Sequence, residues 1–271
     1  MKKKIFEKKI IIVLPTHSNY LELISNFLQV FNENWPDCPF EIVISITGED
    51  KCINGYDCLY NGKNASLIDC LVSVSNLYNP EYIISFLGDA FITKKINNDD
   101  FFEILNFMSE NIIHYCSIRY VRNYWKKKNA SSKLRFIHQN DRYSHNFVSF
   151  IVDQYYMSNT IKNFQSDLEF EQFYLHNQIG DDYYKHDVIV SKNIFNINPA
   201  INKGKWNRKV RKKLIKKYPN IEFIDLPKES IGDTIINGLR NKIIYYLTPK
   251  TRKLFKLLLL KVLGKEFVTK D

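Results

Sequence analysis

The sequence predicts an α/β protein built on a largely parallel sheet, and three stretches carry that prediction. KKIIIVLPTHSNY sets a β-branched run ahead of Pro15 and a polar segment, LELISNFLQVFNENW repeats apolar residues at helical spacing, and FEIVISITGED returns to a short apolar run closed by turn residues. Strand, loop, helix and strand in succession need crossover connections. Sheets built that way gather their ligands beyond the C-terminal ends of the strands.

The later segments keep the alternation. SLIDCLVSVSNLY (66–78) reads as a helix, EYIISFLGD as a third strand, DDFFEILNFMSEN (99–111) as a helix with an acidic start, and HYCSIRYV as another strand. NYWKKKNASSKLRFIHQNDRY reads as a hairpin or irregular region, and FVSFIVDQYYM as a strand entering a further helix. No repeat and no glycine- and serine-rich linker divides the chain. Residues 1–225 are therefore expected to form one unit, with 226–271 as a basic helical extension.

Composition narrows the classes. A hydrophobic content of 45% in 271 residues is enough for a substantial core and excludes disorder. The net charge of +10 is concentrated late, because neither GKWNRKVRKKLIKKY (204–218) nor the run from Ile235 to Lys265 contains an acidic residue. Cys38, Cys52, Cys58, Cys70 and Cys116 form no tight CxxC pair, which predicts reduced thiols in the cytosol; a loop closed by Cys52 and Cys58 is the alternative in an oxidising compartment. The basic MKKKIFEKK precedes an apolar run too short for a secretory core or a membrane span, so a cytoplasmic location is expected.

The familiar nucleotide, zinc-protease and hydrolase signatures are absent from the sequence, so the carboxylates are weighed singly. Asp89 ends the EYIISFLGD run, where it serves either as a turn acceptor or as an oxygen ligand for Mg²⁺ or Mn²⁺ beside a diphosphate. Thr16, His17 and Asn19 follow the first strand and would face the same crevice, and Asp69 would approach it from the second helix; helix capping and loop solubility are the alternative for all four. Ser166 stands three residues before Glu169, the spacing of a helix capping box. His138 with His145, and His176 with His186, lack zinc spacing, and Asp181 and Asp182 read as a turn after Gly180.

The order of these motifs resembles that of bacterial glycosyltransferases with a GT-A-like fold that assemble capsule, O-antigen or lipooligosaccharide. Their strand-end motif runs approximately LDDYF or QDDYF; the match here is LGDAF, with Gly88 in the first acidic position and Asp89 in the second. Arg119 in SIRYV, LEFEQF in place of a WDFE-like signature, and Gly204, Lys205 and Trp206 as an intact GKW complete a likeness over residues 9–210. The resemblance implies a mixed sheet flanked by helices and a nucleotide-sugar donor. It further implies Asp89 as a metal and catalytic residue, Glu171 as the base for an acceptor hydroxyl, and Arg119, Lys205 and Trp206 around the donor diphosphate; the alternatives are a surface helix glutamate, a structural ion pair of Arg119, and a surface lysine beside a packed indole.

TIINGLRNKIIYYLTPKTRKLFKLLLLKVLGKEF suggests two helical stretches separated by Pro249, the second mixing leucines with lysines. It either lies on an anionic membrane surface or packs on the domain. The expected activity is inverting transfer of a monosaccharide to a lipid-linked glycan or polysaccharide acceptor, at the inner face of the cell membrane. Two rivals are a nucleic-acid-binding protein using 204–218 with its flanking aromatics, and a noncatalytic glycan-binding relative that has lost one acid.

Overall fold

A computed structural model describes residues 9–121, 128–139, 141, 143–176, 183–230, 232, 251, 254, 257, 258 and 261. The expected extension lies mostly outside them, and Asp181 and Asp182 lie outside them entirely. In chain order the strands and α-helices are β1 (Ile10–His17), α1 (Leu21–Asn34), β2 (Glu41–Thr47), β3 (Asp57–Tyr60), α2 (Leu67–Tyr78), β4 (Tyr82–Phe86), β5 (Ala90–Ile92), α3 (Asn98–Glu110), β6 (Tyr115–Ser117), β7 (Leu134–His138), β8 (Ser149–Asp153), α4 (Gln154–Asn159), α5 (Asp167–His176), β9 (Tyr183–Val190), β10 (Ile197–Pro199), β11 (Ile201–Asn202), β12 (Lys205–Trp206) and α6 (Arg208–Lys217).

Eight strands hydrogen-bond in the order β3-β2-β1-β4-β8-β6-β9-β7. The first four run parallel; β8 is antiparallel to both β4 and β6, β9 is parallel to β6, and β7 is antiparallel to β9. The sheet is therefore mixed, as the resemblance implied, and not the largely parallel one read from the alternation. Periodicity records which residues face the core, not which way a strand runs. The segment read as hairpin or irregular contains β7, an edge strand whose partner β9 comes some fifty residues later.

Burial explains the elements. Residues Ile10 to Leu14 of β1 are all buried, and Leu23, Ile24, Phe27, Leu28 and Phe31 of α1 are buried with them. Phe27 sits 6.2 Å from both Phe86 and Phe91, and Phe31 lies 5.5 Å from Trp35, so one aromatic cluster packs α1 against the exits of β4 and β5. Each such ring contributes about 1.5–3 kcal/mol through burial. Cys52 and Cys58 form a disulfide across the β2–β3 connection, while Cys70 and Cys116 are buried thiols. For that pair the expectation of reduced thiols is corrected: the turn brings two sulfurs six residues apart into bonding distance.

One departure from regularity builds the site. Beyond β4 the chain leaves the main sheet, and β5 pairs antiparallel with β10, Ala90 opposite Pro199. The Ala200 N–H donates to the Asp89 carbonyl at 2.7 Å. Residues 87–89 thus form a step between two sheets.

Candidate functional site

The parallel strands β1, β2 and β4 end together, and their exits line a cavity of about 480 Å³ with Pro15, Thr16, His17, Thr47, Leu87, Gly88 and Asp89. Tyr20, Ser66 and Asp167 close its sides, and Lys203 and Gly204 reach it from the far end of the chain. The volume suits a small organic ligand.

Backbone geometry fixes the first wall. The His17 Nδ1 accepts the Asn19 N–H at 3.1 Å, and the Glu49 N–H donates to the Ser18 hydroxyl at 3.0 Å, so the loop after β1 is tied to itself and to the loop after β2. Gly48 makes that approach feasible. Its φ of +92° lies in the left-handed region, and a Cβ there would sit 2.7 Å from His17 Cε1. Of the residues expected in this loop, Thr16 and His17 line the cavity; Asn19 is exposed, and Tyr20 takes the lining position.

Asp69 has a structural partner. Its carboxylate accepts the Ser66 N–H at 2.7 Å while the Ser66 hydroxyl accepts the Asp69 N–H at 3.2 Å, a reciprocal capping box that starts α2. Ser66 and Leu67 line the cavity, whereas Asp69 does not. In α5 the Ser166 hydroxyl likewise accepts the Glu169 N–H at 3.2 Å, and Glu169 accepts the Gln165 N–H.

At the cavity floor, burial pushes the Asp89 carboxyl up to about 6, against the smaller opposing pulls of its own backbone N–H and of Arg119. Burial also raises the Glu171 carboxyl, opposed by the Phe147 N–H, which donates to it at 2.9 Å, and by Arg119. Arg119 is therefore the cation common to two carboxyls raised by desolvation. Of these three residues only Asp89 lines the cavity; Arg119 and Glu171 stand outside its lining, with Asp167 on the wall one helical turn before Glu171.

Buried neighbours hold these residues. α5 docks through Phe170, which is fully buried, and Tyr174, which stacks on His145 at 3.7 Å; His145 in turn contacts Asp187 at 3.0 Å. Buried Asn146 donates to the Ser117 hydroxyl at 3.0 Å, and Ser117 donates to the Arg119 carbonyl at 3.3 Å. Asn146 also accepts from the Val148 and Ser149 N–H groups, flanking the Phe147 N–H that holds Glu171. One amide side chain thus links the supports of Arg119 and Glu171.

The GKW segment divides three ways. Lys203 and Gly204 have φ of +50° and +73° between the paired residues Asn202 and Lys205, a two-residue hairpin turn. Gly204 lines the cavity, Lys205 is exposed outside the lining, and Trp206 is 0% exposed. The Trp206 indole packs 6.0 Å from Phe91 and donates to the Ile224 carbonyl, so it is core and not the aromatic wall expected of it. Alternation along β12 turns its two side chains to opposite faces. Lys203, missed by sequence reasoning, is the cation of this hairpin at the cavity; the Asn-Lys-Gly turn chemistry was its signal.

Among the described residues, no three His, Cys, Asp or Glu side chains converge to hold a metal ion, and no helix is long and apolar enough to cross a membrane. The fold and site define an α/β protein with a ligand-sized, acid-floored cavity at the strand exits.

No family model and no curated protein matches the sequence. Among solved structures the chain is similar to a cytidylyltransferase from Leptospira borgpetersenii, with 13% identity over 88% of this chain and 97% of that one and a TM-score of 0.48. It is similar to TarS of S. aureus, with 12% identity over 97% of this chain and 44% of that one, TM-score 0.46. It is also similar to the glycosyltransferase GlyE of Streptococcus pneumoniae, with 9% identity over 90% and 52% and a TM-score of 0.38. The chain thus spans about half the length of GlyE and less than half of TarS.

Proposed function

We propose that the protein is a nucleotide-sugar-dependent glycosyltransferase that moves a monosaccharide to a lipid-linked glycan or polysaccharide acceptor. The observation that carries this reading is the cavity formed where parallel strands end, lined by Thr16, His17, Asp89, Asp167 and Lys203; Arg119, whose charge acts on both Asp89 and Glu171, stands outside that lining. The donor occupies the cavity, its nucleoside against Thr16 and His17 and its diphosphate toward Asp89, Arg119 and Lys203.

In that pose Glu171 takes the proton of the acceptor hydroxyl, for which a raised carboxyl is the better base. The acceptor oxygen bonds the anomeric carbon as the bond to the diphosphate breaks, a single displacement that inverts the centre. Arg119 and Lys203 stabilise the departing charge. Asp89 is the residue that would hold a Mg²⁺ or Mn²⁺ ion, which would supply positive charge for the diphosphate. Loss of the first acid at Gly88 favours a second reading, a noncatalytic glycan-binding relative. The nucleic-acid reading loses support because Trp206 and Tyr218, which flank the basic segment, are both buried.

The test is binding and nucleotide release across a panel of nucleotide sugars, each with Mg²⁺, Mn²⁺ or chelator. Saturable binding of one donor with slow nucleotide release is expected. Acceptor binding without donor turnover would establish the noncatalytic reading, and retention of anomeric configuration would remove the single displacement.

A further inference from the structure

Helix α6 carries two stripes. Val210, Leu214 and Tyr218 form the inward one, with Leu214 and Tyr218 buried, and Lys217 reaches the Thr93 carbonyl at its edge. Arg208, Arg211, Lys212, Ile215 and Lys216, at helical spacings of three and four, form the other; with Lys228 they line a second groove of about 540 Å³. Five of its six lining residues are cations and none is an acid.

This arrangement is costly for a helix on its own. Arg208 and Arg211 occupy the first turn, where the helix dipole disfavours positive charge, and no acidic residue lies there to offset them. Arg208 with Lys212, and Lys212 with Lys216, set like charges four residues apart, each pair destabilising by a few tenths of a kcal/mol. Among the described residues none of the five cations enters an ion pair; Arg208 donates to the Glu229 backbone carbonyl, and the Arg211 Nε is buried without a hydrogen-bond partner. Five cations without an ion pair in one concave groove mark a place for an anion.

We infer that the α6 groove is a lipid-phosphate site, taking the phosphate of an anionic lipid headgroup between Arg208, Arg211, Lys212, Lys216 and Lys228. The phosphate offsets the positive charge of the groove, and Ile215, 42% exposed in the groove, meets the apolar part of the lipid. A base-bearing polyanion fits less well, because the nearby aromatics Trp206 and Tyr218 are buried and offer no stacking face. The site stands independently of the glycosyltransferase reading.

Vesicle flotation of the full chain tests it, with phosphatidylcholine vesicles compared with equimolar phosphatidylcholine and phosphatidylglycerol. The wild type is expected to float with the anionic vesicles alone, and Arg211→Gln with Lys212→Gln to weaken binding about 25-fold, at about fivefold per cation. Lys162→Gln with Lys192→Gln, an equal charge change elsewhere, is expected to weaken it less than about twofold. Equal losses in the two variants would replace the groove by diffuse charge, and unchanged flotation of the first would place lipid binding elsewhere. Inorganic diphosphate binding without flotation would make the ligand a soluble phosphate, and preferential binding of single-stranded RNA would make it a nucleic acid; either overturns the inference. Salt titration of the wild type checks the charge dependence without any substitution.

Discussion

Ile24 fills the space a side chain at position 88 would need: a Cβ built on Gly88 falls 2.1 Å from Ile24 Cδ1, and Ile24 is only 2% exposed. Glycine at the first acidic position of LGDAF is thus matched by α1 packing. Gly88→Ala is expected to destabilise by about 1–3 kcal/mol through overpacking, and Ile24→Ala to recover part of that loss in the same chain. A double-mutant cycle by chemical denaturation checks this. Simple additivity would separate the two residues.

Asp89→Asn is expected to stabilise the unliganded protein at pH 7 by on the order of 2 kcal/mol while removing transfer. The sign follows from a carboxyl raised from 3.8 to about 6 in the fold. Its protonated form is favoured there, so the contribution is full below about pH 3.8 and lost as the pH rises through about 6. Thermal melts of both proteins from pH 4 to 7 should diverge with rising pH.

Glu171→Gln retains an oxygen for the Phe147 N–H and cannot take a proton. Donor affinity should hold within about threefold while kcat falls by about 10²–10⁴. Parallel losses of affinity and turnover would relegate Glu171 to donor binding.

Lys203 and Lys205 stand two residues apart, but only Lys203 lines the cavity. Lys203→Ala should raise donor KM about tenfold, the scale of a lost hydrogen bond to a charged group. Lys205→Ala should leave it unchanged. Steady-state kinetics with the donor found in the panel decide between them.

Asn146→Ala removes the amide that joins the supports of Arg119 and Glu171. Beyond a stability loss of about 1–3 kcal/mol, the acid limb of the kcat–pH profile should move upward, because a weakened Phe147 N–H contact no longer lowers the Glu171 carboxyl. A purely structural role would lower yield and stability with the limb in place.

Much of this architecture was legible because its signals are local. The apolar spacing of 21–34 gave α1, the run before Pro15 gave β1, and Ser166 with Glu169 gave the start of α5. What escaped depends on distant partners. β5, β10 and β12 are two or three residues long and exist through pairing with segments far away or through a turn, so no periodicity accumulates in them. That Thr16, His17 and Asp89 line one cavity is legible because a strand exit is a place the sequence marks; the linkage of Arg119 to both carboxyls requires the folded chain. Trp206 was misplaced because the face of a two-residue strand is set by its hairpin partner.

The bond from Ala200 to Asp89 has a consequence for synthesis. A chain emerging from the ribosome can close β1, β2, β3 and β4 early, but the floor behind Asp89 waits for residues roughly a hundred positions later, and the lysine of the hairpin follows them. Until then the exits of β4 and β5 leave Phe91 without Trp206 and Phe223, an apolar surface awaiting its cover. A nascent chain arrested before residue 200 would hold all eight strands of the main sheet but leave the step at Asp89 unclosed, with a chaperone-sized liability beside the cavity at the strand exits.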